Sequence, residues 1–179
     1  FGLWLGPRGG YGTERQIANY IANNNLGSRN ESSGNDINIS DGRYLDKLVN
    51  DILQSNVIYL YAQGDNRILC NYIQTKFSSL FIPVVICDID FENTYFSQGK
   101  LLIVISTNGT IFRLDKKLIS KIKKLNIKTW LITCNDDISI NFFDEKLIVP
   151  SLENKYNEYS IKYIIDIILA SVHLMRGKY

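Results

Sequence analysis

At 179 residues the chain fits one domain of usual size with a short appendage, and a domain this large buries its core without disulfide or metal staples. With 45% apolar and 21% charged residues it has the composition of an ordinary soluble protein. A formal charge of +2 gives no argument for nucleic-acid or membrane binding by the domain as a whole, and no apolar run approaches the roughly 20 residues of a membrane span. Residues 1–22 hold a glycine-rich opening and a possible helical stretch, Thr13–Ile21; residues 23–39, dense in Asn, Ser and Gly, read as a linker. The folded body is expected over residues 40–179.

Ser40 is placed to cap a helix over Asp41–Gln54, where Tyr44, Leu45, Leu48, Val49, Ile52 and Leu53 repeat at helical spacing. A strand, Val57–Tyr61, ends in the turn Ala62-Gln63-Gly64-Asp65-Asn66, and Arg67–Leu80 reads as a helix. The next strand is Ile82–Cys87, followed by a mixed polar and aromatic segment, Asp88–Gly99, expected as a short helix. The third strand is the most informative: five aliphatic residues, Leu101–Ile105, stop at the polar turn Ser106-Thr107-Asn108-Gly109-Thr110, and the basic amphipathic segment Arg113–Leu125 follows. A strand apolar on both faces must be covered on both faces, which points to a parallel sheet between helices. A fourth strand, Lys128–Thr133, runs into Cys134-Asn135-Asp136-Asp137; a fifth, Lys146–Val149, closes at Pro150, and a helix covers about Glu158 to Met175. The expected fold is a three-layer αβα sandwich on a five-stranded parallel sheet in the order 2-1-3-4-5.

Three cysteines, Cys70, Cys87 and Cys134, form no metal-ligand spacing and leave an odd count, which fits a reducing cytoplasm; no metal or cofactor is expected. His173, the only histidine, sits one turn from the end of the last helix, where it complements the helix dipole. Glu92, Glu145, Glu153 and Glu158 are available acids outside any motif; Glu153 or Glu158, ahead of the last helix, is the one placed to face a ligand cleft. Asp65 reads as a helix-start acid, Asp136-Asp137 as part of an Asx-type turn after Asn135, and Arg67 and Arg113 as cations near the polar turns.

The ordered set Ala62-Gln63-Gly64-Asp65-Asn66, Ser106-Thr107-Asn108-Gly109-Thr110-Ile111 and Thr133, each after a strand, resembles the SIS (sugar isomerase) domain, with its strand–GxGxS–helix, strand–SxSGxT–helix and strand–T pattern. The resemblance covers roughly Asp41 to Arg176. Gln63-Gly64-Asp65 and the long last helix resemble the effector domain of RpiR-type transcriptional regulators in particular, and Phe1-Gly2-Leu3-Trp4-Leu5-Gly6 with Gly10-Tyr11-Gly12 resembles the last piece of their helix-turn-helix domain, an irregular tail being the alternative. The rest of a helix-turn-helix is absent, so DNA is expected as a partner only through a domain this chain largely lacks.

The resemblance implies a non-catalytic domain that senses a phosphorylated sugar and forms a homodimer, with Gln63, Gly64, Asp65, Asn66, Ser106, Thr107, Asn108, Gly109, Thr110 and Thr133 as ligand-binding residues. The alternatives are an aldose–ketose phosphosugar isomerase and a degenerate domain that only dimerises. The departures bear on all three: Ala62 replaces the first glycine of GxGxS, Asn66 its serine, Asn108 the second serine of SxSGxT, and Ile111 its threonine. A hydrogen bond to a charged group is worth about 1.5–3 kcal/mol, so three lost hydroxyls matter unless replaced. Asn66 and Asn108 keep an NH₂ donor and Ile111 does not.

Overall fold

The computed structural model describes residues 42–87, 100–110, 120–122, 124–135, 137, 143–151 and 156–176. Helix α1 (Gly42–Gln54) leads to strand β1 (Val57–Ala62), a single 3₁₀ turn (Gly64–Asn66) and α2 (Arg67–Ser78). Then come β2 (Val84–Ile86), β3 (Lys100–Ile105), β4 (Lys128–Thr133), β5 (Glu145–Ile148) and α3 (Asn157–Arg176). All neighbouring strands pair in parallel, and the sheet order is β2-β1-β3-β4-β5, as the sequence predicts. The expected cap Ser40 and helix Asp88–Gly99 lie outside the described residues, as does most of Arg113–Leu125, of which residues 120–122 are helical.

β1, β3 and β4 are buried from their second residue to their last, whereas β2 and β5, at the edges, are only partly covered. Alternate side chains divide the core into two layers. Ile58, Leu60, Ile103, Ile105, Trp130 and Ile132 pack under α1, α2 and α3; Tyr59, Tyr61, Leu102, Val104 and Leu131 pack on the other face, with Ile122 and Phe143. Trp130, fully buried, donates its indole N–H to Asp51 Oδ2 at 2.7 Å, so the one polar atom of its ring is satisfied by α1.

The predicted strand Ile82–Cys87 is shorter in the structure, for a local reason. The Ile82 amide donates to Phe77 O at 3.1 Å and the Phe81 amide to Ser78 O at 3.1 Å, which closes α2 in a Schellman motif. Ile82 is thereby spent on the cap. Pro83 O (accepting from Ile58) and the Cys87 amide (donating to Leu60 O) still flank the three ladder residues of β2.

The motif puts Phe81 in the left-handed region, at φ 55°, and leaves its ring 88% exposed. A Cβ there costs roughly 1–2 kcal/mol, of which the greater unfolded-state freedom of glycine takes back a part. Phe81→Gly is therefore expected to raise stability by up to about 1 kcal/mol in urea denaturation. Phe81→Ala, which keeps a Cβ, is expected to give no such gain.

Candidate functional site

The connections from β1 and β3 leave the sheet on opposite faces. After β1, α2 buries Leu69, Cys70, Ile73 and Phe77 in the layer beneath α1 and α3; after β3, Ile122 enters the other layer. A crevice outside the carboxyl ends of two such strands is where open α/β sheets bind ligands. Three polar turns converge there.

The turn after β3 lies at the centre. The Ser106 amide donates to Ile132 O at 3.0 Å, continuing the β3–β4 ladder one residue past Ile105, and this fixes where the turn begins. Gly109 N–H closes the turn on Ser106 O at 3.2 Å, with Gly109 at φ 70°, a conformation that favours glycine. That amide is spent within the turn. Ser106 and Thr107 are buried, while Asn108 and Thr110 are exposed.

Each neighbour is fastened to this turn. On the β1 side, the Thr107 hydroxyl donates to Asn66 Oδ1. Gln63 Nε2 donates back to the Tyr61 hydroxyl at 2.7 Å, and Gly64 (φ 59°) and Asp65 are exposed. On the β4 side, Thr107 O accepts from the Cys134 amide at 2.9 Å and from the Thr133 hydroxyl at 3.4 Å. The same Thr133 hydroxyl accepts the Asn135 amide at 3.1 Å, so this fully buried side chain serves the turns in both roles. Asn135 Nδ2 donates to Asn108 O at 3.1 Å, and its Oδ1 accepts the Asp137 amide at 3.0 Å in the expected Asx-type turn.

The third neighbour is one the sequence reading misses. Asn157, the first residue of α3 and 2% exposed, donates from Nδ2 to Asn108 Oδ1 at 3.0 Å. Its own Oδ1 accepts the Ser151 hydroxyl at 3.0 Å. One turn further along, the buried Ser160 hydroxyl has no hydrogen-bond partner among the described residues. Asn157 belongs to no motif; its only sequence signal is a side-chain amide at the start of a predicted helix, a position shared by many plain caps.

The acids and bases fall elsewhere. Glu145 starts β5 at the amino-terminal end of the sheet and pairs with Lys47 at 2.5 Å and Lys128 at 3.6 Å. Glu158 is exposed in the first turn of α3. His173 is exposed sixteen residues along α3 from Asn157, about 24 Å at the rise of a helix. Glu92, Arg113, Glu153 and Asp136 lie outside the described residues, among which no three His, Cys, Asp or Glu side chains gather as a metal site. No helix among them is long and apolar enough to cross a membrane. A cavity of about 640 Å³ opens at the amino-terminal end of the sheet, lined by Asp51, Lys100, Lys128 and Asp144. Its charged groups are already engaged: Asp51 with Trp130, Asp144 with the Thr129 amide and hydroxyl, and Lys100 with the Tyr59 hydroxyl at 2.8 Å.

These features define a doubly wound α/β domain whose switch-point turns are tied together, among the described residues, by hydroxyl and amide groups. The chain belongs to the SIS domain family, whose model matches residues 51–175. No curated protein sequence matches it. Among solved structures it resembles the Vibrio vulnificus NanR protein complexed with ManNAc-6P, at 14% identity and a TM-score of 0.67 over 94% of this chain. The chain spans 63% of that NanR chain. The sugar isomerase domain of an RpiR transcription factor from Sphaerobacter thermophilus is similar at 12% identity and a TM-score of 0.66, over 92% of this chain and 91% of that one. A Methanococcus jannaschii protein, for which a 3-hexulose-6-phosphate isomerase function is inferred, is similar at 17% identity and a TM-score of 0.64, over 79% of this chain and 82% of that one. At these identities the likeness is one of fold.

Two thiols in this core resist ionisation. Burial pushes Cys134, at the end of β4, and Cys70, in α2, each up to about 12. An unfolded thiol ionises near 8.5, so the unfolded chain releases these protons first as pH rises. Stability that is full below about pH 8.5 is then lost toward pH 12, by up to about 1.4 kcal/mol per pH unit for each thiol. Urea titrations at pH 8 and 10 are expected to show a flatter decline for Cys70→Ala than for the unmutated chain, although the variant is less stable at pH 8.

Proposed function

We propose that residues 40–179 form the effector-binding and dimerisation domain of an RpiR-type transcriptional regulator that senses a phosphorylated sugar in the cytoplasm. DNA binding would belong to a helix-turn-helix domain, whose last piece residues 1–12 resemble. The observation that carries this reading is the set of polar groups gathered at the switch point: Ser106, the side-chain amides of Asn66 and Asn108, and a turn in which Gly109 takes the left-handed conformation. Neutral donors at this place suit an oxyanion, since they stabilise its charge and transfer no proton. The RpiR and NanR neighbours support the regulator reading, and the phosphosugar in the NanR complex supports the ligand class.

The isomerase alternative has its own support in neighbours named as isomerases, the Methanococcus protein with its inferred function among them. It needs a base beside the sugar carbon, within hydrogen-bond reach. Among the described acids Glu145 stands at the wrong end of the sheet, and Glu158 is the residue to test.

Calorimetry with hexose and pentose phosphates, ManNAc-6P among them, is expected to find one that binds. Ser106→Ala should then lose about 1–3 kcal/mol of binding, the usual cost of removing a bond to a charge. His173→Ala should bind as the unmutated chain does. Turnover of a bound aldose phosphate, abolished by Glu158→Gln, would establish the isomerase instead; no binding of any sugar phosphate would leave the dimerisation-only reading.

The homodimer rests on less surface than the helical stripes imply. Leu48, Val49 and Ile52 of α1 and Ile161, Ile164, Ile165, Ile168 and Val172 of α3 are buried within the chain itself. What these helices leave for a partner is Tyr44, Tyr159, Leu174 and Met175. Light scattering at micromolar concentration is expected to give twice the 20.5 kDa of one chain, and Leu174→Glu is expected to shift the mass toward the single chain.

A further inference from the structure

The two asparagines that stand where the family pattern has serines share one geometry. In each, the side-chain carbonyl is taken by a donor of the protein: Asn66 Oδ1 by the Thr107 hydroxyl, Asn108 Oδ1 by Asn157 Nδ2 at 3.0 Å. Neither NH₂ group has a partner among the described residues. A side-chain amide can present a donor or an acceptor to a ligand, depending on which way it is turned. For an oxyanion the difference is between attraction and repulsion, so something must set the orientation.

At Asn108 that something is Asn157. Its nitrogen only donates, so the group facing it must be the Asn108 oxygen, and the Asn108 NH₂ is turned away from α3 toward the open side of the turn. Asn157 is in turn oriented by Ser151, whose hydroxyl donates to Oδ1 at 3.0 Å, and the Cys134 thiol donates to Asn157 O at 3.7 Å. Reversing the Asn108 amide sets two donors face to face, and reversing the Asn157 amide, only 2% exposed, sets two carbonyl oxygens face to face with little water to relieve them. Taking the phosphosugar-binding reading as its basis, we propose that Asn157 is a positioning residue of the candidate site. It fixes the Asn108 amide as a donor for the ligand's oxyanion, in the place of the hydroxyl the family pattern has there. This is why a longer amide at 108 is accompanied by a buried amide at the start of α3.

The test is a double-substitution cycle on the full chain, with the tightest sugar phosphate from the panel and inorganic phosphate as probes, followed by calorimetry and by NMR titration. Asn157→Ala is expected to weaken binding of both probes about tenfold, the loss of one well-oriented bond to a charge. Asn157→Asp should weaken it further, because a carboxylate accepts from the Asn108 NH₂ and turns the Asn108 carbonyl toward the ligand. With Asn108→Ser in place, whose hydroxyl orients itself, Asn157→Ala should change affinity less than twofold. A purely structural role for Asn157 would give the same loss in both backgrounds, and that result overturns the inference while leaving the ligand class intact. Without ligand, the Asn108 side-chain NH₂ resonances should move on Asn157→Ala; unmoved resonances mean the contact is absent and also overturn it. If the unmutated chain binds neither probe, the phosphosugar reading itself fails, and the inference with it.

Discussion

Five consecutive aliphatic side chains from Leu101 to Ile105 cannot all be buried on one face of a sheet, because successive side chains point to opposite faces. Burying them requires cover on both sides, and β3 has it, with Leu101, Leu102, Val104 and Ile105 fully buried and Ile103 nearly so. The rest of the domain follows from that requirement. A strand covered twice sits in the middle of a sheet, so β1 and β4 flank it in parallel over five or six paired residues. Parallel neighbours need crossovers, and crossovers that return on both faces create the crevice at the carboxyl ends. The candidate site is therefore where it is because of a burial constraint, before any ligand is considered.

The same constraint explains why the fold was legible in the sequence and the detail of the site was not. The run Leu101–Ile105 carries its own evidence, since burial on both faces writes itself as unbroken apolar sequence. β4 occupies the residues the sequence predicts, and the switch point follows from strand order alone. Boundaries fixed by hydrogen bonding are harder to see. Nothing in Ile82-Pro83-Val84 announces that the Ile82 amide goes back to Phe77, and a phenylalanine in the left-handed region runs against the usual glycine at that position. Asn157 lies beyond sequence reasoning for a different reason: its partner is 49 residues away, and side-chain amides pair by orientation, which leaves no periodicity or spacing to read.

The departures from the family's hydroxyl pattern also look different once the turn is seen whole. Read along the chain, Asn66 and Asn108 are losses, each a serine replaced by something larger. In the structure each is bound by its oxygen to a neighbouring element, Asn66 to the β3 turn and Asn108 to the start of α3. An amide carries both a donor and an acceptor at fixed separation, so its oxygen can tie two turns together while two N–H groups remain, where a hydroxyl that accepts has one hydrogen left to give. In this chain each asparagine thus joins the β3 turn to a neighbouring element through its oxygen. Ile111 has no such compensation, having neither donor nor acceptor in its side chain.

What the crevice holds bears on sensing as against catalysis. Isomerisation needs a group that takes and returns a proton, with a proton affinity near the working pH. Among the described residues the hydrogen bonds that join these turns come from Ser, Thr and Asn side chains, with Asp65 and Asp137 standing in the same turns, and burial pushes the Cys134 thiol up. Neutral groups of this kind can hold an anion by hydrogen bonds without transferring a proton. In this domain the β3 turn is bonded to the start of α3, whose far end carries the exposed Leu174 and Met175.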